Sequence, residues 1–418
     1  VLTFTGPPAL GGSMAYLDYF DDSPGELPFA VRQAFEQICL DVDRRQFNEA
    51  NQRFEDILGH LDTLAIDPRT GVKLLANGGL VRAANDDQAS GMTLINQAVD
   101  DLEAFAGPYD AGLVAMLIPK GLIHYHMGDY VLAEDALRRA QHIAQRHDGV
   151  YAKDQLPIID HLTDLYLAQG SLLNADREQR LSLTVSEAYF GAESEELVAA
   201  LEKLGAYFSG RGGRIPSQSR MKKGNYGSDV ADSAARHRSQ TRRALLGDAV
   251  SLYERALQIL EAKYGRNDLS LVHPLNGLAE VWLNAIQARG KGKRLLKRAL
   301  AIVEASPDAD ATDHVHALVA LGDAYTLSAD PTRATAHYKH AWAILSGRPE
   351  LTSLRDALFS SPTRLTRASP EVLWVTHVPP SANPDRLYAE LAYSVTADGR
   401  VAKPRVTDAN ISDSYVNV

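Results

Sequence analysis

The feature that most constrains this chain is a self-similarity at a fixed interval. Three segments read alike: Leu117-x-x-Lys120-Gly121 closing at Gly128, Ile159-x-x-Leu162-Thr163 closing at Gly170, and Leu201-x-x-Leu204-Gly205 closing at Gly212, with the closing glycines 42 residues apart. A period between about 20 and 50 residues marks an array in which each unit buries its apolar face only against its neighbours. Within each unit the apolar residues recur three and four apart, as on a helix that buries one stripe. Behind Gly128 a second stripe follows, Tyr130, Ala133, Leu137 and Ala140. The small alanines allow two antiparallel helices to approach, while the larger residues fill the space beside them.

Each unit therefore reads as a helix, a tight turn at the closing glycine and a returning helix. Glycine suits the turn because the left-handed conformation at a helix C-terminus costs other residues about 1 kcal/mol. One period upstream lies Leu75-x-x-Gly78-Gly79 with Ile95 and Ala98 behind it, and downstream Leu318-x-x-Leu321-Gly322-x-x-Tyr325 leads to Ala334, Tyr338 and Ala341. There are departures. Lys120, Thr163 and Gly78 each replace an expected residue of the leading pair, and the unit around Trp282 aligns Ala299 only after a one-residue shift. The first unit, Phe35 to Ile57, is weaker, as befits a terminal cap with a solvated outer face.

These residues resemble the tetratricopeptide repeat, over roughly residues 25 to 347. The links Glu187-Ala-Tyr-Phe-Gly191 and Glu261-Ala-Lys-Tyr-Gly265 resemble the longer kinesin light chain type. The resemblance implies a mainly α fold, a right-handed α-solenoid of about seven helical hairpins, and peptide binding by a groove along the first helices. The matching positions here are Tyr125, Asp160, Asp164, Glu202, His316 and Asp323. Asp160 and Asp164 lie one turn apart on one helix face. A groove so lined would take a basic or amide-rich peptide; the alternative is a merely solvated face.

Between Gly212 and the helix carrying Ala249 an extra segment, residues 213–243, is expected to interrupt one repeat as a loop. Its bases are Arg214, Arg220, Lys222, Lys223, Arg236, Arg238, Arg242 and Arg243, against Asp229 and Asp232. Such a loop would dock an acidic partner or lipid headgroups, or be solvated with no dedicated partner. Its one aromatic, Tyr226, gives poor support for base stacking. The chain as a whole, 418 residues with a formal charge of −10, repels polyphosphate, so nucleic acid is not an expected partner.

Cys39 is the one cysteine, which excludes internal disulfides and multi-thiolate zinc sites. No apolar run is long enough to span a bilayer. The first residues, starting at Val1, lack the basic and long apolar regions of a signal peptide, so a processed or trimmed start is expected.

After Leu345 the helical period stops. Val372-Leu-Trp-Val-Thr-His-Val378 reads as a short strand, and a Pro379-Pro380 break leads to a β-hairpin, Leu387 to Val395 and Val401 to Val406 about Asp398-Gly399. The stretch from Tyr388 to Asp408 resembles the first hairpin of the TonB C-terminal domain, and residues 412–418 resemble the start of the helix that follows it. That resemblance implies a periplasmic address, although the membrane anchor and Pro-rich spacer of TonB proteins have no counterpart here. The expected domains are an extension (1–24), the repeat array (25–347), a linker with a short strand (348–383) and a β module (384–418).

Little in the sequence points to catalysis, a cofactor or a metal. His124 and His126, like His314 and His316, are two apart on a helix and point about 200° apart, and His337 and His340 share a face without a third ligand. Ser306 to Asp313 lacks the glycine and terminal glutamate of a calcium loop and reads as a helix cap. Gly210-Arg-Gly-Gly213 follows a helix, so it is not a phosphate cradle. Trp282, Tyr166, Phe208 and Tyr325 read as packing residues.

The expectation is thus a non-catalytic scaffold of the bacterial cell envelope that binds other proteins, or copies of itself, through the repeats and the hairpin. The rivals are a cytoplasmic adaptor and an enzyme with an unrecognised site.

Overall fold

A computed structural model of the chain describes residues 14–215, 229–285, 288–360, 389–395 and 401–409. The helices run α1 (Phe29–Asp43), α2 (Phe47–Leu58), α3 (Pro68–Ala84), α4 (Gln88–Ala106), α5 (Leu113–Met127), α6 (Tyr130–Asp148), α7 (Leu156–Ala168) and α8 (Leu172–Phe190). Then come α9 (Val198–Arg214), α10 (Asp229–Tyr264), α11 (Val272–Glu280), α12 (Arg289–Ala305), α13 (Ala311–Leu327), α14 (Pro331–Ser346) and α15 (Thr352–Phe359). The helices pair in sequence order as hairpins, α1 with α2, α3 with α4, α5 with α6, α7 with α8, α9 with α10, α11 with α12 and α13 with α14. The described residues divide into two compact units, an N-terminal one ending at Leu204 and a C-terminal one beginning at Gly205, the boundary falling within α9.

The same seam recurs in α3/α4, α5/α6, α7/α8, α9/α10 and α13/α14. A small residue on the first helix lies against a larger one on the second. A Cβ placed on Gly121 would stand 2.8 Å from Leu137 Cγ, one on Gly79 2.7 Å from Ile95, one on Gly205 2.9 Å from the Tyr253 ring and one on Gly322 2.6 Å from the Tyr338 ring. Thr163 holds the same place in α7, where its hydroxyl accepts from Gln179 Nε2 at 3.1 Å and donates to the Ile159 carbonyl at 2.8 Å. Two further columns of the second helices, Ala133, Ala175, Ala249 and Ala334, and Ala98, Ala140, Ala256, Ala299 and Ala341, are almost wholly buried. Each fully buried Ile, Leu or Val beside them contributes roughly 1.5–3 kcal/mol.

The turns within hairpins also repeat. Gly128 (φ 83°) and Gly170 (φ 71°) are left-handed. Each is followed by an amide that reaches back five residues, Asp129 N to His124 O at 2.9 Å and Ser171 N to Tyr166 O at 2.8 Å. Arg45, Asp86 and Ala329 occupy the same conformation (φ 58°, 64° and 57°), followed by Gln46 N to Asp41 O, Asp87 N to Arg82 O and Asp330 N to Tyr325 O. The backbone geometry is thus kept where the glycine is not.

Gly212 departs from expectation. It is not a turn but part of α9, and a Cβ there would stand 2.7 Å from Leu246. Its missing side chain serves close packing, the other use of glycine.

Two irregularities are absorbed differently. The one-residue shift near Trp282 falls in a π turn, Val281–Ala285, which takes up an extra residue without breaking the helix pair. The basic insertion was expected as a loop over 213–243, but Gly213 and Arg214 close α9, and Asp229 to Arg243 form the start of the 36-residue α10. Arg220, Lys222 and Lys223 lie outside the described residues.

Between hairpins the chain passes through a second set of left-handed glycines, Gly107, Gly149, Gly191 and Gly265, each capping a second helix. Asp310 and Asp313 form a reciprocal cap on α13, at 2.8 and 3.1 Å, as the reading of 306–313 expected. Near the C-terminus β1 (Ala389–Val395) and β2 (Val401–Ala409) pair antiparallel, Val395 opposite Val401 and Ala389 opposite Ala409. Asp398 and Gly399, residues 372–380 and residues 412–418 lie outside the described residues.

Candidate functional site

Residues two apart on a helix point about 200° from one another, so a side chain two before a seam residue faces away from the seam. Asn77 on α3 precedes Gly79 in this way, and His161 on α7 precedes Thr163. Together with Lys73 of α3 and His126 of α5 they mark one face of three consecutive first helices in the N-terminal unit.

This face carries an occupant. A 3-10 turn, Ala15–Tyr19, packs against α5 and α3. The Tyr16 ring, 2% exposed, meets His126 edge-on with centroids 5.9 Å apart. The Tyr19 ring meets His161 edge-on at 6.0 Å, and its hydroxyl lies 2.9 Å from His161 Nε2. Asn77, 2% exposed, brackets the backbone of Asp21: its Oδ1 accepts from Asp21 N at 3.0 Å and its Nδ2 donates to Asp21 O at 2.7 Å. The Asp21 carboxylate pairs with Lys73 Nζ at 2.9 Å.

Between Tyr19 and Asp21 the segment is anchored differently. Phe20 stacks on Phe35 at 6.0 Å and packs edge-on against Phe54, within the apolar core of α1 and α2.

Burial sets the ionisation of the face. It pushes Tyr19 up to about 12, helped by Asp18 and Asp160, and Tyr16 likewise to about 12, helped by Asp86. Burial lowers His161, against the opposing pull of Asp160 and Asp18, and lowers His126 as well. Asp164 is raised to about 7 by burial and by Asp160, with Lys203 opposing. The contacts are thus made between neutral phenols and neutral imidazoles.

The expected site residues are distributed as follows. Asp160 is half-buried, paired with Lys203 and 3.5 Å from Gln179 Nε2, so the acidic lining expected of it is neutralised within the unit. Asp164 and Glu202 are half-buried. Tyr125 packs against His126 and Tyr130.

In the C-terminal unit His316 is exposed. Asp323, expected on the binding face, is buried at 4% and accepts from the Tyr338 hydroxyl at 2.7 Å, which makes it a strut of the α13/α14 seam. Of the basic residues Arg236, Arg238 and Arg243 are exposed along α10, and burial lowers the half-buried Arg242.

Lys73, Asn77, His126 and His161 were missed by the sequence reading. The signal available was the offset of two before Gly79 and Thr163; the partner segment has no periodic mark.

A second concavity, a cavity of about 280 Å³ between α4, α5 and α6, is lined by Lys120, His124, Asp135 and Arg139 among others. Burial and Arg139 lower Lys120, with Asp100, Asp135 and Glu103 opposing. Arg139 pairs with Glu103, so the pocket holds charges of both signs. Cys39 is half-buried and its thiol is pushed up to about 11 by burial, away from nucleophilic use at neutral pH. Among the described residues no three His, Cys, Asp or Glu side chains converge as a metal site, and no helix is long and apolar enough to cross a membrane.

No family model matches the chain, and no curated protein matches it. Among solved structures it is similar to BtubC from P. vanneervenii, with a TM-score of 0.40 and 18% identity over 65% of this chain and 94% of that one. It is similar to a putative kinesin light chain of Podosopora anserina with nearly identical TPR-like repeats, TM-score 0.39, 14% identity, covering 55% of this chain and 94% of the other. The apo form of RapI gives a TM-score of 0.44 at 11% identity, over 79% and 82% of the two chains. These fits are loose, and the repeat reading rests on the seams and turns.

Proposed function

We propose that the protein is a non-catalytic interaction scaffold of tetratricopeptide type that holds partner proteins on the first-helix face of its N-terminal unit. The observation that carries this reading is the use of Asn77, His126 and His161 to hold a 3-10 turn and the residues that follow it, a segment far away in sequence. These side chains face away from the seams that hold the hairpins together, so what they hold is not part of hairpin packing. The reading is tested by affinity capture with the full chain as bait. Partners retained by the wild type and lost with Asn77→Ala/His161→Ala support it, and an unchanged set of partners contradicts it.

The envelope address and the role of β1 and β2 as an added edge strand belong to the same proposal. They rest on the likeness of residues 388–408 to a TonB hairpin. A cytoplasmic adaptor is the second reading. Fractionation of the native protein from its source cells separates the two, since recovery in the periplasmic fraction is incompatible with a cytoplasmic adaptor.

A further inference from the structure

The segment Ala15–Asp21 is held in two ways that differ in kind. Its last aromatic, Phe20, is part of a hydrophobic core with Phe35 and Phe54. The residues on either side of it are held by polar and edge-on contacts, each on a different first helix: Tyr16 on α5, Tyr19 on α7 and Asp21 on α3. The Asn77 bracket reads only the main chain of Asp21, just past the 3-10 turn, and Lys73 adds one charge contact. The bonded partners are 56 residues apart at Asn77 and 142 at His161, so the contacts have the character of docking between separate pieces of chain.

We infer that the shared face of α3, α5 and α7 is a docking groove for an aromatic–acidic peptide. Ala15–Asp21 is its intramolecular occupant, and a partner bearing a like segment docks by displacing it. This inference rests on the interaction reading above and adds the ligand class and its control.

The ligand chemistry follows from what is seated. Two phenol rings three residues apart sit edge-on to neutral imidazoles, an arrangement that favours aromatic rings with a polar tip. The carboxylate two residues further on meets Lys73. Asp160, which with Asp18 acts on the Tyr19 phenol, is paired with Lys203, which removes the bias toward a basic ligand. A tethered occupant has an effective concentration that reaches the millimolar range for a short link. A partner therefore meets a groove that is open only part of the time, and its apparent affinity falls by that fraction.

The test uses the full chain and a labelled synthetic peptide, Ala-Tyr-Leu-Asp-Tyr-Phe-Asp-Asp, with a control in which both tyrosines are alanine at the same charge. Binding is read by fluorescence polarisation to the wild type, to Tyr16→Ala/Tyr19→Ala and to the same variant carrying Asn77→Ala/His161→Ala. The expected result is that the emptied groove binds the tyrosine peptide on the order of tenfold or more tighter than the wild type does. The control peptide and the fourfold variant should then show no binding.

Equal binding by wild type and emptied groove, equal binding of both peptides, or none to any form would overturn the inference. So would loss of cooperative thermal unfolding in Tyr16→Ala/Tyr19→Ala, which would make the segment an inseparable part of the fold. Partner capture that depends on Asn77 and His161 but is indifferent to the tyrosines would leave the scaffold reading standing and sink this one.

Discussion

The α3/α4 hairpin of the N-terminal unit and the α13/α14 hairpin of the C-terminal unit close the same seam with different materials. In the first, Gly79 and Gly91 lie backbone to backbone, and a Cβ on Gly91 would stand 2.6 Å from the Gly79 carbonyl oxygen. In the second, Gly322 faces the Tyr338 ring, whose hydroxyl is tied to Asp323. One seam is set by main chain, which cannot move aside; the other is set by a side chain, which can. The repeat therefore fixes where helices meet and leaves open what fills the meeting point.

A methyl group probes that difference. Gly91→Ala should destabilise the N-terminal unit by about 3 kcal/mol, the upper part of the range for overpacking, and Gly322→Ala the C-terminal unit by about 1 kcal/mol. Urea unfolding followed by helical circular dichroism checks this, and equal effects would break the contrast.

Next in size is a pH effect confined to the N-terminal unit. Asp164 has a folded pKa of about 7 against 3.8 when unfolded, so the folded state binds the extra proton between these values. Stability from this group is full below the unfolded value and falls as pH rises through about 7. Asp164→Asn should raise the melting temperature at pH 8 by several degrees and leave it nearly unchanged at pH 3. A gain that does not depend on pH would exclude this cause.

The turns give a smaller effect of opposite sign in the two units. Gly128→Ala should cost about 1 kcal/mol and Ala329→Gly should gain a similar amount, because both positions are left-handed and a Cβ is the penalty. The smallest difference is expected for the recurring ion pairs Glu103–Arg139 and Glu261–Arg298, which occupy equivalent places in the two units. Arg139→Ala and Arg298→Ala should each cost under about 1 kcal/mol, and by like amounts.

What the sequence made legible follows the same division. Gly121 against Leu137 and Gly322 against Tyr338 are seam residues at constant spacing, and the packing they enforce repeats with them. Gly212 misled because glycine serves both a left-handed turn and a close helix contact, and spacing cannot tell these apart. Asp323 misled because a carboxylate on a helix reads as solvated until its phenol partner is seen. The extension of α10 back to Asp229 was hidden by its charges, which suit an exposed helix as well as a loop.

The groove was half legible. Asp160 and Asp164 were placed on the right helix, but the ion pair with Lys203 and the burial of Asp164 come from neighbours outside that helix. Tyr16 and Tyr19 carry no period and meet partners more than a hundred residues away, so nothing local announces them.

The central claim is that Ala15–Asp21 lies across the first helices of the N-terminal unit as a docked segment, and photo-crosslinking addresses it most directly. With p-benzoylphenylalanine in place of Tyr19, irradiation should join residue 19 to the peptide containing His161 within one chain, and excess tyrosine peptide should suppress that product. Crosslinks to the second helices, or a product with α7 that no amount of peptide diminishes, would contradict the account.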